Sequence, residues 1–206
     1  MFVNFSMSIL NRIFILTLLI FFTGCSKRVS ILDVSDKDLK YINELIARPG
    51  EEVRFFPSYD NVPLACTVIH PETPSKGAIL FIHGLGARSN LYLTLADEFS
   101  ENGYIIYLLD IRGHGYSHGE RGHMPSSDAM GKDINHFYEY VFSVEGSNQK
   151  YIAMGHSLGT YIWINTLESY TDINIDALVL ISGGTVNNLN TLRTIKENSR
   201  YFSHIN

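Results

Sequence analysis

The chain has 206 residues, of which 45% are hydrophobic and 18% charged, and a formal net charge of −5. That length suits one domain of ordinary size, and the composition is globular, neither disordered nor collagen-like. The acidic balance, with Lys and Arg scattered and no basic stripe, argues against nucleic acid, which needs a basic face.

Residues 1–24 stand apart as a signal peptide. Asn11-Arg12 precedes an unbroken apolar-rich run from Ile13 to Phe22. A spanning helix needs roughly 20 apolar residues, so this run is short for a membrane span and suits a signal-peptide core. It leads into Phe22-Thr23-Gly24-Cys25-Ser26, which resembles the lipobox of bacterial lipoproteins, with Phe22 where Leu is usual. The resemblance implies lipidation of Cys25, which becomes the new N-terminus. The alternative is a signal anchor that is never cleaved. Either way the domain is expected in the cell envelope, outside the cytoplasmic membrane and tethered to a membrane. With Cys25 lipidated, Cys66 has no disulfide partner and reads as a small buried apolar residue on a strand.

The lead-in, residues 25–50, carries a helix that Ser35-Asp36 can cap and that runs through Ala47 to a stop at Pro49-Gly50. Val53 to Phe56 and Leu64 to His70 read as strands around an Asp60-Asn61 turn. Gly77 to His83 is a continuous apolar run, as expected of a strand buried on both faces of a parallel sheet. A helix from Ser89 to Asn102, with Leu91, Leu95 and Phe99 on one face, stops at Gly103. Tyr104 to Leu109 is a strand, Asp128 to Val144 a helix, Tyr151 to Met154 a strand, Leu158 to Tyr170 a helix and Ala177 to Ile181 a strand. No strand is expected after Ile181. Strand and helix alternate with short links, which predicts an α/β layered sheet with ligands beyond the carboxyl ends of the strands. His83-Gly84, Asp110 and Gly155-His156-Ser157 all fall there.

Gly155-His156-Ser157-Leu158-Gly159 fits G-x-S-x-G between a strand and a helix. Such a turn is sharp enough to strain the serine backbone, and the glycines two positions away leave room for it while the hydroxyl is pushed out. Ser157 is the candidate nucleophile. The helix that follows aims its N-terminal dipole at a developing oxyanion. Upstream, Gly84 and Gly86 let backbone N–H groups turn inward, so that Leu85 and Leu158 would donate to an oxyanion; losing one such donor typically costs about 2.7–4 kcal/mol. His83 and His156 read as support for the loop and elbow, since in this order the base follows the serine.

Three segments now stand in order: His83-Gly84-Leu85-Gly86, the run from Asp110-Ile111-Arg112-Gly113-His114-Gly115 to Glu120-Arg121-Gly122, and Gly155-His156-Ser157-Leu158-Gly159. Together they resemble the monoacylglycerol lipase and lysophospholipase branch of the α/β-hydrolases, the serine-aminopeptidase-like group, over about residues 50 to 185. The resemblance implies an α/β-hydrolase fold, a mostly parallel sheet with helices on both faces, with the core at 51–184. It implies hydrolysis of a lipid ester, a monoacylglycerol or lysophospholipid, through an acyl-enzyme. Asp110 and Arg112 would then brace the loop at the strand end. No cofactor is implied, because serine acyl transfer needs none. His114, His118 and His123 lack a metal-site spacing, so no metal is expected.

The partners of the serine should follow it in the order acid, then histidine. After Ser157 the histidine present is His204, and the carboxylates are Glu168, Asp172, Asp176 and Glu197. The fold is therefore expected to lack its last strands. Residues 185–206, with Leu189, Leu192 and Ile195 at helical spacing, read as the start of a cap that would hold His204. Two readings follow: part of a serine ester hydrolase, or a catalytically inactive, membrane-anchored relic or binding module. A complementing C-terminal polypeptide would be a hybrid of the two.

Overall fold

The computed structural model describes residues 51–183 and the strand at 201–205. The expected signal peptide, Cys25, the lead-in helix and the Leu189 to Ile195 pattern lie outside the described residues. Among the described residues no helix is long and apolar enough to cross a membrane.

Strands β1 (Glu51–Pro57) and β2 (Pro63–Ile69) form an antiparallel hairpin. Its turn is closed by Ser58 N–H to the Val62 carbonyl at 2.9 Å, with Asn61 left-handed at φ 62°, a conformation asparagine tolerates well. Then follow β3 (Ala78–Ile82), a 3-10 turn (Ser89–Tyr92), α1 (Leu93–Glu101), β4 (Ile105–Asp110), α2 (Ala129–Glu145), β5 (Tyr151–His156), α3 (Leu158–Ser169), β6 (Ala177–Ile181) and β7 (Tyr201–Ile205). The sheet order is β1-β2-β4-β3-β5-β6-β7. β2 runs against both its neighbours, and every pairing from β4 to β7 is parallel.

The central strands are apolar on both sides because helices cover both faces. Ala78, Leu80 and Ile82 of β3, with Tyr107 and Leu109 of β4, pack with Ile134, Phe137 and Val141 of α2 and Trp163 of α3. Ile79, Phe81, Ile106, Leu108 and Met154 face the other way, toward Ala96, Leu93 and Phe99 of α1. The alternation along each strand sorts its residues between the two layers. Trp163 is fully buried, and its indole N–H donates to the Met154 carbonyl at 3.0 Å, which locks α3 beneath the end of β5. Cys66 is fully buried, and burial pushes its thiol pKa up.

Two elements differ from the sequence reading. The helix expected from Ser89 begins as a 3-10 turn (Ser89–Tyr92) before α1, with the Ser89 N–H taken by the Asp110 carboxylate at 2.6 Å. The larger correction concerns the tail. A strand does follow Ile181: β7 pairs with β6 from Ala177↔Tyr201 to Ile181↔Ile205. Its residues, Tyr-Phe-Ser-His-Ile, include strand formers, and β6 offers a free edge to them. His204 therefore sits on a strand, in register with Leu180, and not in a helical cap.

Candidate active site

β5 ends at His156 and α3 begins at Leu158, leaving Ser157 as the whole connection. Its backbone is at φ 51°, ψ −112°, close to the mirror image of an ordinary extended residue. For an L-residue with a Cβ this costs roughly 1–3 kcal/mol and must be imposed by its surroundings. The imposing contacts are specific. Ser157 N–H donates to the Ile181 carbonyl at 2.9 Å, and Thr160 returns its N–H (3.1 Å) and hydroxyl (2.6 Å) to the Ser157 carbonyl. A Cβ at Gly155 would stand 2.5 Å from the Gly159 carbonyl, and one at Gly159 would stand 2.1 Å from the Ile82 carbonyl. Only glycines let α3 start this close to β3 and β5. The Ser157 side chain is exposed at this corner.

The loop after β3 comes to the same place. Gly84 to Ala87 is a tight turn, Ala87 N–H to Gly84 carbonyl at 3.2 Å, with Gly86 at φ 69°, the third position that type II turns reserve for glycine. A Cβ on Gly84 would lie 3.1 Å from His156 Nδ1 and 3.3 Å from Ser157 Cβ, so the bare backbone of the turn abuts the elbow. Among the described residues, neither the Leu85 N–H nor the Leu158 N–H is taken by a backbone acceptor. Leu158 follows the serine as the first residue of α3, and Leu85 belongs to the turn that abuts the elbow. The Gly84 N–H, by contrast, donates to the Tyr92 hydroxyl at 3.3 Å.

His83 is completely buried beneath this turn. Its Nε2 accepts the Ile111 N–H at 3.2 Å, which assigns the proton to Nδ1, and Nδ1 donates to the Gly84 carbonyl at 2.7 Å. Burial lowers its pKa. A ring used at both nitrogens for backbone support is not free to shuttle a proton to Ser157.

The Asp110 to Gly122 loop is anchored at two charged points. Asp110 accepts the N–H groups of Ser89 (2.6 Å) and Tyr116 (2.9 Å), which ties the β3 loop to its own loop. Gly115 passes so close that a Cβ there would fall 2.0 Å from the Asp110 carboxylate. The Arg112 guanidinium lies between Asp133 (2.7 and 2.8 Å) and Asp60 (2.8 and 2.9 Å), and Ser58 also donates to Asp133. Of the loop histidines, His114 bonds the Arg112 carbonyl at 3.0 Å and His118 packs edge-on against Phe55. Among the described residues no group of His, Cys, Asp and Glu side chains is placed to hold a metal ion.

The bonds of Tyr92, Ser89, Ser58, Asp60 and Asp133 escaped the sequence reading, because each joins a partner distant in the chain that no local pattern marks; Thr160, bonded to the Ser157 carbonyl three residues back, was missed as well. Among residues 51–183 no histidine or carboxylate bonds the Ser157 hydroxyl.

A serine elbow between a parallel strand and a helix, facing a glycine turn with a free amide, defines an α/β-hydrolase. Residues 73–202 match the family described as serine aminopeptidase, S33, and the chain belongs to that family. It is 29% identical over 110 residues to the monoacylglycerol lipase of Mycolicibacterium smegmatis, a stretch covering 50% of this chain and 37% of that protein. It is 30% identical over 107 residues to the monoglyceride lipase homolog of Monkeypox virus, covering 51% of this chain and 38% of that protein. The chain thus matches well under two thirds of the length of these relatives. The carboxyl esterase of Bacillus coagulans, crystallised with glycerol, superposes with a TM-score of 0.57 at 20% identity, covering 73% of this chain and 50% of the esterase. The mostly parallel sheet with helices on both faces is that of an α/β-hydrolase.

Two predictions follow from this geometry. Ser157→Gly relieves roughly 1–3 kcal/mol of strain against roughly 0.5–1 kcal/mol for glycine's freedom in the unfolded chain. It should therefore raise unfolding stability by about 1 kcal/mol in denaturant titrations, whereas Ser157→Ala should not. For His83, the unfolded chain takes up a proton as pH falls through the ordinary histidine value, about 6.5, while the folded ring, with its lowered pKa, does not. Stability present above that pH is lost as pH drops toward the folded value. The denaturation midpoint should fall between pH 7.5 and 5.5, and His83→Gln should flatten that slope; an unchanged slope would contradict the assignment.

Proposed function

We propose that this domain is a serine ester hydrolase acting on a lipid monoester, a monoacylglycerol or a lysophospholipid, through an acyl-enzyme on Ser157. The observation that carries the reading is the strained, exposed Ser157 abutted by the glycine turn after β3. Attack of the hydroxyl oxygen on the ester carbonyl places negative charge on the carbonyl oxygen. The N–H groups of Leu85 and Leu158 then receive it, with the α3 dipole adding in the same direction. Collapse expels the alcohol and leaves the acyl group on Ser157; water then releases the acid. The relatives named as monoacylglycerol and monoglyceride lipases support a lipid ester over a peptide. The proton of Ser157 needs a base, and His204 on β7 is the first histidine to test.

The reading is checked with the full chain on a monoacylglycerol, a lysophospholipid and an aminoacyl anilide. Ester turnover that disappears in Ser157→Ala is expected, with the anilide left uncleaved; anilide cleavage alone would overturn the substrate class. Leu85→Pro removes one donor N–H at a turn position that proline suits and should lower kcat about 10²–10³-fold while the protein stays folded.

The apolar run ending at Phe22 and the following Thr23-Gly24-Cys25 support a further part of the proposal, attachment to an envelope membrane through lipidated Cys25. Cys25→Ala should abolish incorporation of labelled fatty acid and release the protein from the membrane fraction; labelling that persists would refute lipidation at this residue.

A further inference from the structure

The geometry points to Tyr92 as a positioning residue whose hydroxyl ties the oxyanion turn to the nucleophile elbow. This inference rests on the acyl-transfer reading of Ser157. The Tyr92 hydroxyl accepts the Gly84 N–H at 3.3 Å and lies 2.9 Å from His156 Nδ1. Gly84 opens the turn that carries the free Leu85 amide, and His156 immediately precedes Ser157. One oxygen therefore joins the two strand ends, β3 and β5, that must hold a fixed separation if Leu85 and Leu158 are to grip the same oxyanion.

The hydroxyl is itself held from two sides. Its ring packs on Phe81 with centroids 4.5 Å apart, and on His156 at 5.7 Å. Its backbone closes the 3-10 turn whose first residue, Ser89, is anchored by Asp110. Oxygen can accept the Gly84 amide and still donate its own proton to a neutral imidazole nitrogen, so both bonds coexist. With the Gly84 N–H occupied by the Tyr92 hydroxyl, the Leu85 N–H stays available to a ligand. The contact at Gly84 is tight, since a Cβ there would reach within 3.1 Å of the same His156 nitrogen.

Tyr92→Phe keeps the ring and removes the tie. In the full chain, amide hydrogen exchange at Gly84 should accelerate about tenfold, the scale of one net hydrogen bond. Exchange at Ile111, which bonds His83 instead, should not change. The His156 Nδ1 resonance should move, and fluorophosphonate labelling of Ser157 should slow by about tenfold while the protein stays folded. Unchanged Gly84 exchange would overturn the inference, and so would faster Gly84 exchange with labelling as fast as in the parent. If the parent itself does not label, the acyl-transfer reading fails, and Gly84 exchange alone judges the tie. Should Tyr92→Phe not fold, His156→Leu removes the other end of the same link and must also speed Gly84 exchange.

Discussion

The carboxyl end of this sheet is organised around the close approach of helix α3 to strands β3 and β5. At Gly159 the helix backbone comes so near the Ile82 carbonyl that a Cβ would stand 2.1 Å away. At Gly155 the strand passes under the first turn of the helix with as little room. With α3 fixed there, and with Trp163 bonded to Met154 beneath it, one residue must bridge β5 and α3, and it can do so only at positive φ. Ser157 accepts that strain, and its side chain is turned out of the sheet as a result. The exposure of the hydroxyl is a consequence of packing several residues away.

The second half of the site is built by charge and hydrogen bonds. Asp110, fully buried at the end of β4, holds the β3 loop through Ser89 and its own loop through Tyr116. Arg112 anchors that loop to the β1–β2 hairpin through Asp60 and to α2 through Asp133. Asp133 is the buried partner, and removing one member of a buried pair commonly costs about 3–5 kcal/mol, because a charge is then left unpaired. His83 fills the space between, satisfying one amide and one carbonyl at once. The turn that presents Leu85 is thus supported from below by a neutral ring and from the side by the Tyr92 hydroxyl.

How much of this was legible in the sequence depended on the range of the interaction. The buried strands were plain because apolar runs such as Ala78–Ile82 record burial on both faces in the residues themselves. The elbow was plain because its constraint is local: strand, glycine, serine, glycine, helix. The helix from Ser89 was legible, but the bond that anchors its first residue was not, because its acceptor is a carboxylate 21 residues away. The tie made by Tyr92 was equally invisible, its partner His156 being 64 positions distant. Strand β7 was missed because Tyr201–Ile205 follows a polar stretch, and its strand character is realised only against the edge of β6. His204, read as part of a cap, moved with it.

The central claim is the proposal that Ser157, turned out of the sheet by its strained backbone, is the nucleophile of an acyl transfer. The direct measurement is the intact mass of the full chain after exposure to a fluorophosphonate ester, with Ser157→Ala beside it. The account predicts one adduct on the parent and none on the variant. A folded parent that gains no adduct, or a variant that gains the same one, would contradict it.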